Sequence, residues 1–254
     1  MYRPLKSVSF SLLCLFVASP VLISGTYTLL EERDPVIVLH QPADVVVNKS
    51  SLTLLMEEGT ALYDSMQLYR YGLTRKAFAY AWKGYNYLYD KKSLLNSNIL
   101  SICDFSQSSR RKRLYVLDME QKKLLLNTYV AHGRRSGGEY AQSFSNNPES
   151  HKSSLGFYVT QRTYHGGHGL ALKIRGLENG FNDKADARNI VVHGSQYVGK
   201  QFLNSNKFNG RSFGCPAVPA KEAPRLIQTI KNGSCLFIYH PNNSYLSKSK
   251  ILND

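Results

Sequence analysis

One short stretch restricts the fold more than any other: Gly210-Arg211-Ser212-Phe213-Gly214-Cys215-Pro216-Ala217-Val218. Two glycines and a proline this close together break both helix and central strand. The chain must turn here, and it turns around a cysteine. Upstream, Asn189-Ile190-Val191-Val192-His193-Gly194 reads as an apolar strand ending in a histidine. The interval between them holds a strand end, a loop and a turn, so the two side chains can meet in space. A cysteine nucleophile needs a base to take its proton and backbone N–H groups to hold an oxyanion. His193 is the candidate base, Cys215 the nucleophile, and the N–H groups of Gly214 and Cys215 the oxyanion donors. A short helix expected just after the turn adds a field that favours thiolate. A metal site is not expected. Cys215 has no Cys or His at ligand spacing, and His165 and His168 straddle turn glycines without a third ligand.

The N-terminus bears on where such chemistry takes place. Arg3 and Lys6 precede the apolar run Val8–Ile23, small residues follow at Ser24 and Gly25, and Glu31-Glu32-Arg33-Asp34 turns polar. This is the pattern of a secretory signal peptide over residues 1–25. An uncleaved anchor is the alternative, although the run falls short of the roughly 20 residues that span a bilayer. Leu13 before Cys14 is too large for a lipoprotein site. The expected location is outside the cytoplasm, in the periplasm or cell envelope, with membrane contact only through that segment. The formal charge is +14, which favours an anionic partner. Export makes nucleic acid a poor candidate and an anionic wall polymer a better one. Past residue 25 the chain keeps Cys103, Cys215 and Cys235, an odd number that leaves one thiol over in an oxidising compartment. Cys103 and Cys235 lie in strand-like stretches. They either pair with each other or stay as inert core thiols.

Along the chain, residues 26–50 read as a poorly ordered lead-in and 51–254 as one domain. Residues 52–92 are helical. Leu54, Leu55, Leu62, Met66, Leu68 and Tyr69 suggest a first amphipathic helix. Thr74 caps a second, in which Phe78, Ala81, Tyr85 and Leu88 recur at three- and four-residue spacing. That aromatic face is read as core, with a carbohydrate-stacking surface as its alternative. From residue 98 the period changes to that of strands: Ile99–Phe105, Arg113–Asp118, Lys123–Val130, Leu155–Tyr164, Leu170–Ile174, Ile190–His193 and Cys235–His240. Hairpins are expected across Met119-Glu120-Gln121-Lys122 and His165-Gly166-Gly167-His168-Gly169. Ala220–Lys231 reads as a helix closed by Asn232-Gly233. The basic run Arg110-Arg111-Lys112-Arg113 reads as a solvated turn. The fold class is mainly β (α+β), with helices on the N-terminal side and a short helix after the cysteine.

His193-Gly194 followed by Gly210-Arg211-Ser212-Phe213-Gly214-Cys215 resembles the active-site signature of the L,D-transpeptidase catalytic-domain family, cysteine enzymes of peptidoglycan. That signature is a histidine, a spacer, then Ser/Thr-x-Gly-Cys. The match is closer to a divergent branch of the family. It extends through Val130-Ala131-His132-Gly133, Phe144-Ser145-Asn146, Ser153-Ser154-Leu155-Gly156-Phe157-Tyr158, Gly176-Leu177-Glu178 and Asn182-Asp183, over roughly residues 72–240. Phe213 stands where the common form has histidine, Ala217 where it has Asn or Arg, and the His-to-Cys spacer is longer.

The resemblance implies a β-sandwich catalytic domain and a cofactor-free transfer of murein stem peptides through a Cys215 thioacyl intermediate. It gives Ser212 a part in the turn or in steadying His193. Arg211 would orient a substrate carboxylate, or else form a structural ion pair. Gly194, Phe213, His168 and Arg188 would contact substrate, and His132 would lie at the rim of the cleft. The expected partner is the peptidoglycan stem peptide, and the expected state a monomer. A stem-peptide carboxypeptidase, a cysteine hydrolase of other peptides and a non-catalytic, tyrosine-rich, basic wall-binding module are the alternatives.

Overall fold

The computed structural model describes residues 50–254 except 168. The expected signal peptide, the lead-in up to residue 49 and His168 lie outside the described residues. Two helices come first, α1 (Ser51–Ser65) and α2 (Arg75–Asp90), joined by a 3-10 turn at Leu68–Tyr71. The Ser50 hydroxyl caps α1 through Thr53 N–H, and the Thr74 hydroxyl caps α2 through Ala77 N–H, as the sequence predicts for Thr74. Strands β1 (Ile99–Asp104), β2 (Leu114–Asp118) and β3 (Lys123–Thr128) follow, then β4 (Gly156–Gly166), β5 (Gly169–Gly176) and β6 (Val191–Ser195). After α3 (Lys200–Leu203) come β7 (Ala217–Pro219), α4 (Ala223–Ile230), β8 (Cys235–Tyr239), α5 (Asn243–Lys248) and α6 (Lys250–Asn253). Among the described residues no helix is long and apolar enough to cross a membrane.

The strands form one eight-stranded sheet in the order β3-β2-β1-β8-β4-β5-β6-β7. Both expected hairpins are present as antiparallel pairs, β2–β3 and β4–β5. Two neighbours are parallel, β1–β8 and β6–β7. Past β3 the chain swings to the far edge, where Ala131 bridges Ala217 and Gly133 bridges Ser212. The fold is therefore mainly β with helices, as expected. The expected sandwich takes the form of a single sheet whose two edges are drawn together into a barrel-like core. Closure of this kind leaves less open edge to pair with other chains.

The central strands β1 and β8 are buried along their whole length, because α2 packs over them. Ala77, Phe78, Ala81, Trp82, Tyr85 and Leu88 of α2 are buried, which confirms the core reading of that face. The first helix differs from expectation. Leu54 and Tyr69 are 54% exposed, while Leu62, Met66 and Leu68 carry the buried contact. The helix stops at Ser65, and Gln67 takes a left-handed conformation, so the later apolar positions leave the helical period. The basic run also splits. Arg110, Arg111 and Lys112 are exposed as a solvated turn should be, but Arg113 is fully buried. Cys103 and Cys235 are buried free thiols. In the parallel register Cys103 faces Ile238 while Cys235 faces Leu100, so their positions rule out a bridge.

Gly84 shows how closely α2 lies on the sheet. A Cβ there would meet Phe157 Cζ at 2.0 Å. The Phe157 ring is itself stacked on Phe237, with centroids 4.1 Å apart, so it has no room to retreat. Gly→Ala inside a helix ordinarily gains about 1 kcal/mol. Here overpacking reverses the sign, and Gly84→Ala is expected to lose about 1–3 kcal/mol net. A fall in the urea midpoint at unchanged m-value is the expected reading; a rise would mean that the ring swings aside.

Candidate active site

The site is assembled where β6 meets β7. In their parallel register His193 pairs with Ala217, so Cys215 lies two positions before the partner of His193. The Cys215 sulfur sits against the start of the same strand. Val191 N–H points at Sγ from 3.5 Å, and Sγ–H points at Asn189 O at 3.6 Å. His193 follows Val191 by two residues, about 7 Å further along the strand. The His193 ring is oriented by its own strand: Nδ1 lies 3.0 Å from Gly194 O. A carbonyl oxygen only accepts, so Nδ1 carries the proton and Nε2 is left as the basic nitrogen.

The turn around the cysteine is built by Ser212. Its Oγ accepts from Gly214 N–H at 3.0 Å and donates to Cys215 O at 2.6 Å. Its backbone is held from the other side, since Ser212 N–H donates to His132 O at 3.0 Å and Arg134 N–H donates to Ser212 O at 2.7 Å. Gly214 has φ +127°, and a Cβ there would meet Lys152 O at 2.8 Å, so the position requires glycine. Gly214 N–H is already engaged by Ser212 Oγ, whereas Cys215 N–H lies against its own sulfur and favours thiolate there.

The charge on the sulfur is set by opposing influences. Burial pushes the Cys215 thiol up, while Val191 N–H, the Arg188 guanidinium and the Cys215 N–H pull it down. Burial prevails, so the group rests as a thiol. Arg188 acts on the sulfur at one remove. Its donors go to Ser145 O, Ser154 Oγ, Ser150 Oγ and Lys152 O, which clamps the 145–154 loop beside the cysteine.

The remaining expected residues are dispersed around this centre. Arg211 is exposed. It donates to Gly137 O at 3.1 Å and lies over the Phe208 ring, with no carboxylate in ion-pair range among the described residues. Phe213 is 62% exposed, yet it is gripped between the Arg134 guanidinium and the His151 ring, each centred 4.6 Å away. Gly194 packs below the site, and a Cβ on it would meet Ala223 Cβ at 2.9 Å at the start of α4. His132 is not at a rim. It is fully buried, accepts from Arg113 at 2.8 Å through Nδ1, and is pushed down to about 3 by burial and by the Arg113 charge. Sequence reading missed Arg134, His151 and Ser153. Ser153 Oγ accepts from Gly133 N–H at 3.0 Å and reaches Gly214 O at 3.4 Å, tying both flanking segments to the turn. Ser153 stood within a quoted motif, but nothing in its spacing pointed to that role.

The YkuD_2 family model, described as an L,D-transpeptidase catalytic domain, matches residues 70–239. The chain belongs to this L,D-transpeptidase family. No curated protein matches. Solved structures similar to the chain include an L,D-transpeptidase from Mycobacterium smegmatis (10% identity, 56% of this chain and 59% of that chain, TM-score 0.35). L,D-transpeptidase 3 from Mycobacterium tuberculosis is similar at 10% identity (56% and 61% coverage, TM-score 0.37). The helical cell shape determining protein Pgp2 from Campylobacter jejuni is similar at 14% identity (57% and 48% coverage, TM-score 0.37). The chain thus spans less than two thirds of the length of each. Likeness this distant carries nothing about substrate.

In this L,D-transpeptidase-family chain the raised thiol has a direct consequence. Alkylation consumes thiolate, and a folded-state pKa above the ordinary value lowers the thiolate fraction near neutral pH. Iodoacetamide is therefore expected to label Cys215 more slowly than a free cysteine near pH 7, with the rate still rising past the ordinary thiol midpoint. Cys103, pushed up to about 12 by burial, and Cys235, pushed higher, should stay unlabelled until unfolding. Site-resolved mass spectrometry reads all three. A Cys215 rate already on its plateau below neutral pH would instead indicate a preformed thiolate–imidazolium pair.

Proposed function

We propose that the chain is a peptidoglycan L,D-transpeptidase acting in the cell envelope as a monomer, with Cys215 as nucleophile and His193 as base. The observation that carries this reading is the β6–β7 register, which brings Cys215 to the strand of a histidine whose Nδ1 is committed to Gly194 O. His193 Nε2 takes the thiol proton, and the sulfur attacks the carbonyl carbon at the L-centre of a stem-peptide diamino acid. The tetrahedral oxyanion is held by Cys215 N–H, with Gly214 N–H joining if Ser212 Oγ releases it. The C–N bond to the terminal D-amino acid breaks, and that amine leaves with the proton from imidazolium. A second stem amine then attacks the thioester, gives its proton to His193 and regenerates the thiol as the cross-link forms. Water in place of the amine yields the carboxypeptidase outcome.

Substrate positioning falls to the basic mouth. Arg211 has no carboxylate partner of its own among the described residues, so its guanidinium is available to a stem carboxylate. Arg134 and Phe213 stand beside it as a stacked wall. Arg188, with its donors occupied, acts through the loop it holds and through its charge on the sulfur.

Intact mass of the protein incubated with a murein disaccharide-tetrapeptide tests the chemistry, wild type beside Cys215→Ala. A thioacyl adduct or released terminal amino acid in wild type alone is expected. Binding without turnover in both proteins would leave only a wall-binding module. Arg211→Ala is expected to raise KM roughly 10- to 100-fold with kcat less affected, the scale of a charged hydrogen bond of about 1.5–3 kcal/mol. Steady-state kinetics on the same fragment would refute the carboxylate role if KM stayed put.

A further inference from the structure

The chain between His193 and Cys215 walls a cleft of about 420 Å³ beside the cysteine turn, within the roughly 300–1,000 Å³ usual for small-ligand sites. Arg134, Lys207 and Arg211 line it together with Phe202 and Phe208, and the lining holds no acidic residue. All three cations are exposed, and none has a carboxylate in ion-pair range among the described residues. The two phenyl rings are half-buried, so each offers the cleft some apolar surface.

These walls are held from outside the cleft. Fully buried Asn209 accepts from Gly199 N–H at 2.7 Å and donates to Ser109 O, and Gly210 N–H donates to Tyr197 O at 2.7 Å. Lys207 O accepts from Arg110 Nη1–H, which ties the lysine's backbone to the basic turn. Arg134 is fixed by His151 Nδ1 at 3.1 Å and by the Phe213 ring. Arg211 Nη1–H donates to Gly137 O at 3.1 Å while the guanidinium rests over Phe208. The Nε–Nη2 edge of Arg211 is left without a partner among the described residues, and it carries the two parallel donors that a carboxylate takes.

Three like charges around one opening repel each other, and a single carboxylate neutralises only one of them. A ligand with two carboxylates suits the cleft better, and the rings suit an alkyl segment between the two acids better than a bare phosphate. Location narrows the ligand further. Four residues separate Arg211 from Cys215, at most about 14 Å of chain. A carboxylate held here therefore belongs to the molecule that reacts at the sulfur. We propose that this cleft is a subsite for a peptide segment with two free side carboxylates, and that it discriminates against stem peptides in which one of them is capped as an amide. Lys207 is then a specificity-determining residue. The identity of the ligand rests on the proposed wall chemistry; the charge pairing does not.

Calorimetric titration of the full chain carrying Cys215→Ala reads binding without turnover. The probes are the murein tetrapeptide with its glutamyl and diamino-acid carboxylates free, and the two analogues in which one or the other is a carboxamide. Each monoamide should bind about tenfold more weakly than the diacid, the loss of one charged hydrogen bond. Adding Lys207→Gln should weaken the diacid about fivefold and one of the monoamides hardly at all, the mark of a direct charge contact. Lys207 is exposed, and an unchanged urea midpoint would show that the variant folds. Equal affinity for all three peptides, or a Lys207→Gln loss shared alike by all three, would overturn the inference. Tighter binding of poly(glycerol phosphate) than of the diacid would overturn it too, by giving the cleft to a phosphate polymer. Discrimination in binding with no thioacyl adduct in the Cys215 protein would sink only the proposed chemistry. Adduct formation indifferent to amidation would sink only this cleft.

Discussion

Everything at the cysteine depends on Ala217 being hydrogen-bonded on both sides. On one side it pairs in parallel with His193 of β6; on the other it bridges Ala131, which has crossed from the opposite edge of the sheet. A three-residue strand such as β7 could not hold itself against solvent. Wedged between two neighbours, it becomes a fixed mount, and the turn that precedes it is fixed too. Cys215, the proposed nucleophile, is placed by the same contacts that close the barrel, so the stability of the closure and the geometry of the site are one property.

The closing segment is held by a buried charge. Arg113 is fully buried, and burial pulls its pKa down to about 10. Removing an unpaired guanidinium from water costs several kcal/mol. Here the cost is offset by donation to Val130 O, Gln107 O and His132 Nδ1, with the Phe105 ring beneath at 4.8 Å. His132 in turn offers its carbonyl to Ser212. A path of direct contacts thus runs from Arg113 through His132 to the turn that carries Cys215. His132 stays neutral along it, so the path transmits position rather than charge.

The helices do separate work. Glycine at positions 59 and 84 lets α1 approach Trp82 and lets α2 approach Phe157, where any side chain would collide. Close approach seats α2 over β1 and β8 and covers the centre of the sheet. It also leaves Tyr89, near the end of α2, exposed beside a cavity.

The sequence by itself determined the elements and the chemistry available to them. Thr74 marked the start of α2, both hairpins were legible from their turns, and the cysteine turn stood out because glycine and proline exclude regular structure there. These are local effects, decided by each residue's own backbone and its near neighbours in the chain. Tertiary structure decided the rest. The buried Arg113 was indistinguishable from its exposed neighbours in the same basic run, because its acceptors at Val130 and His132 arrive only when residues 130–132 cross the sheet. His132 looked like a rim residue and lies in the interior for the same reason. That Gly214 N–H is taken by Ser212, that Arg188 holds a loop, and that Cys215 sits beside β6 all depend on partners distant in sequence. Periodicity and turn chemistry report what a segment can form; which hydrogen-bonding groups remain free is fixed only once the sheet has chosen its register.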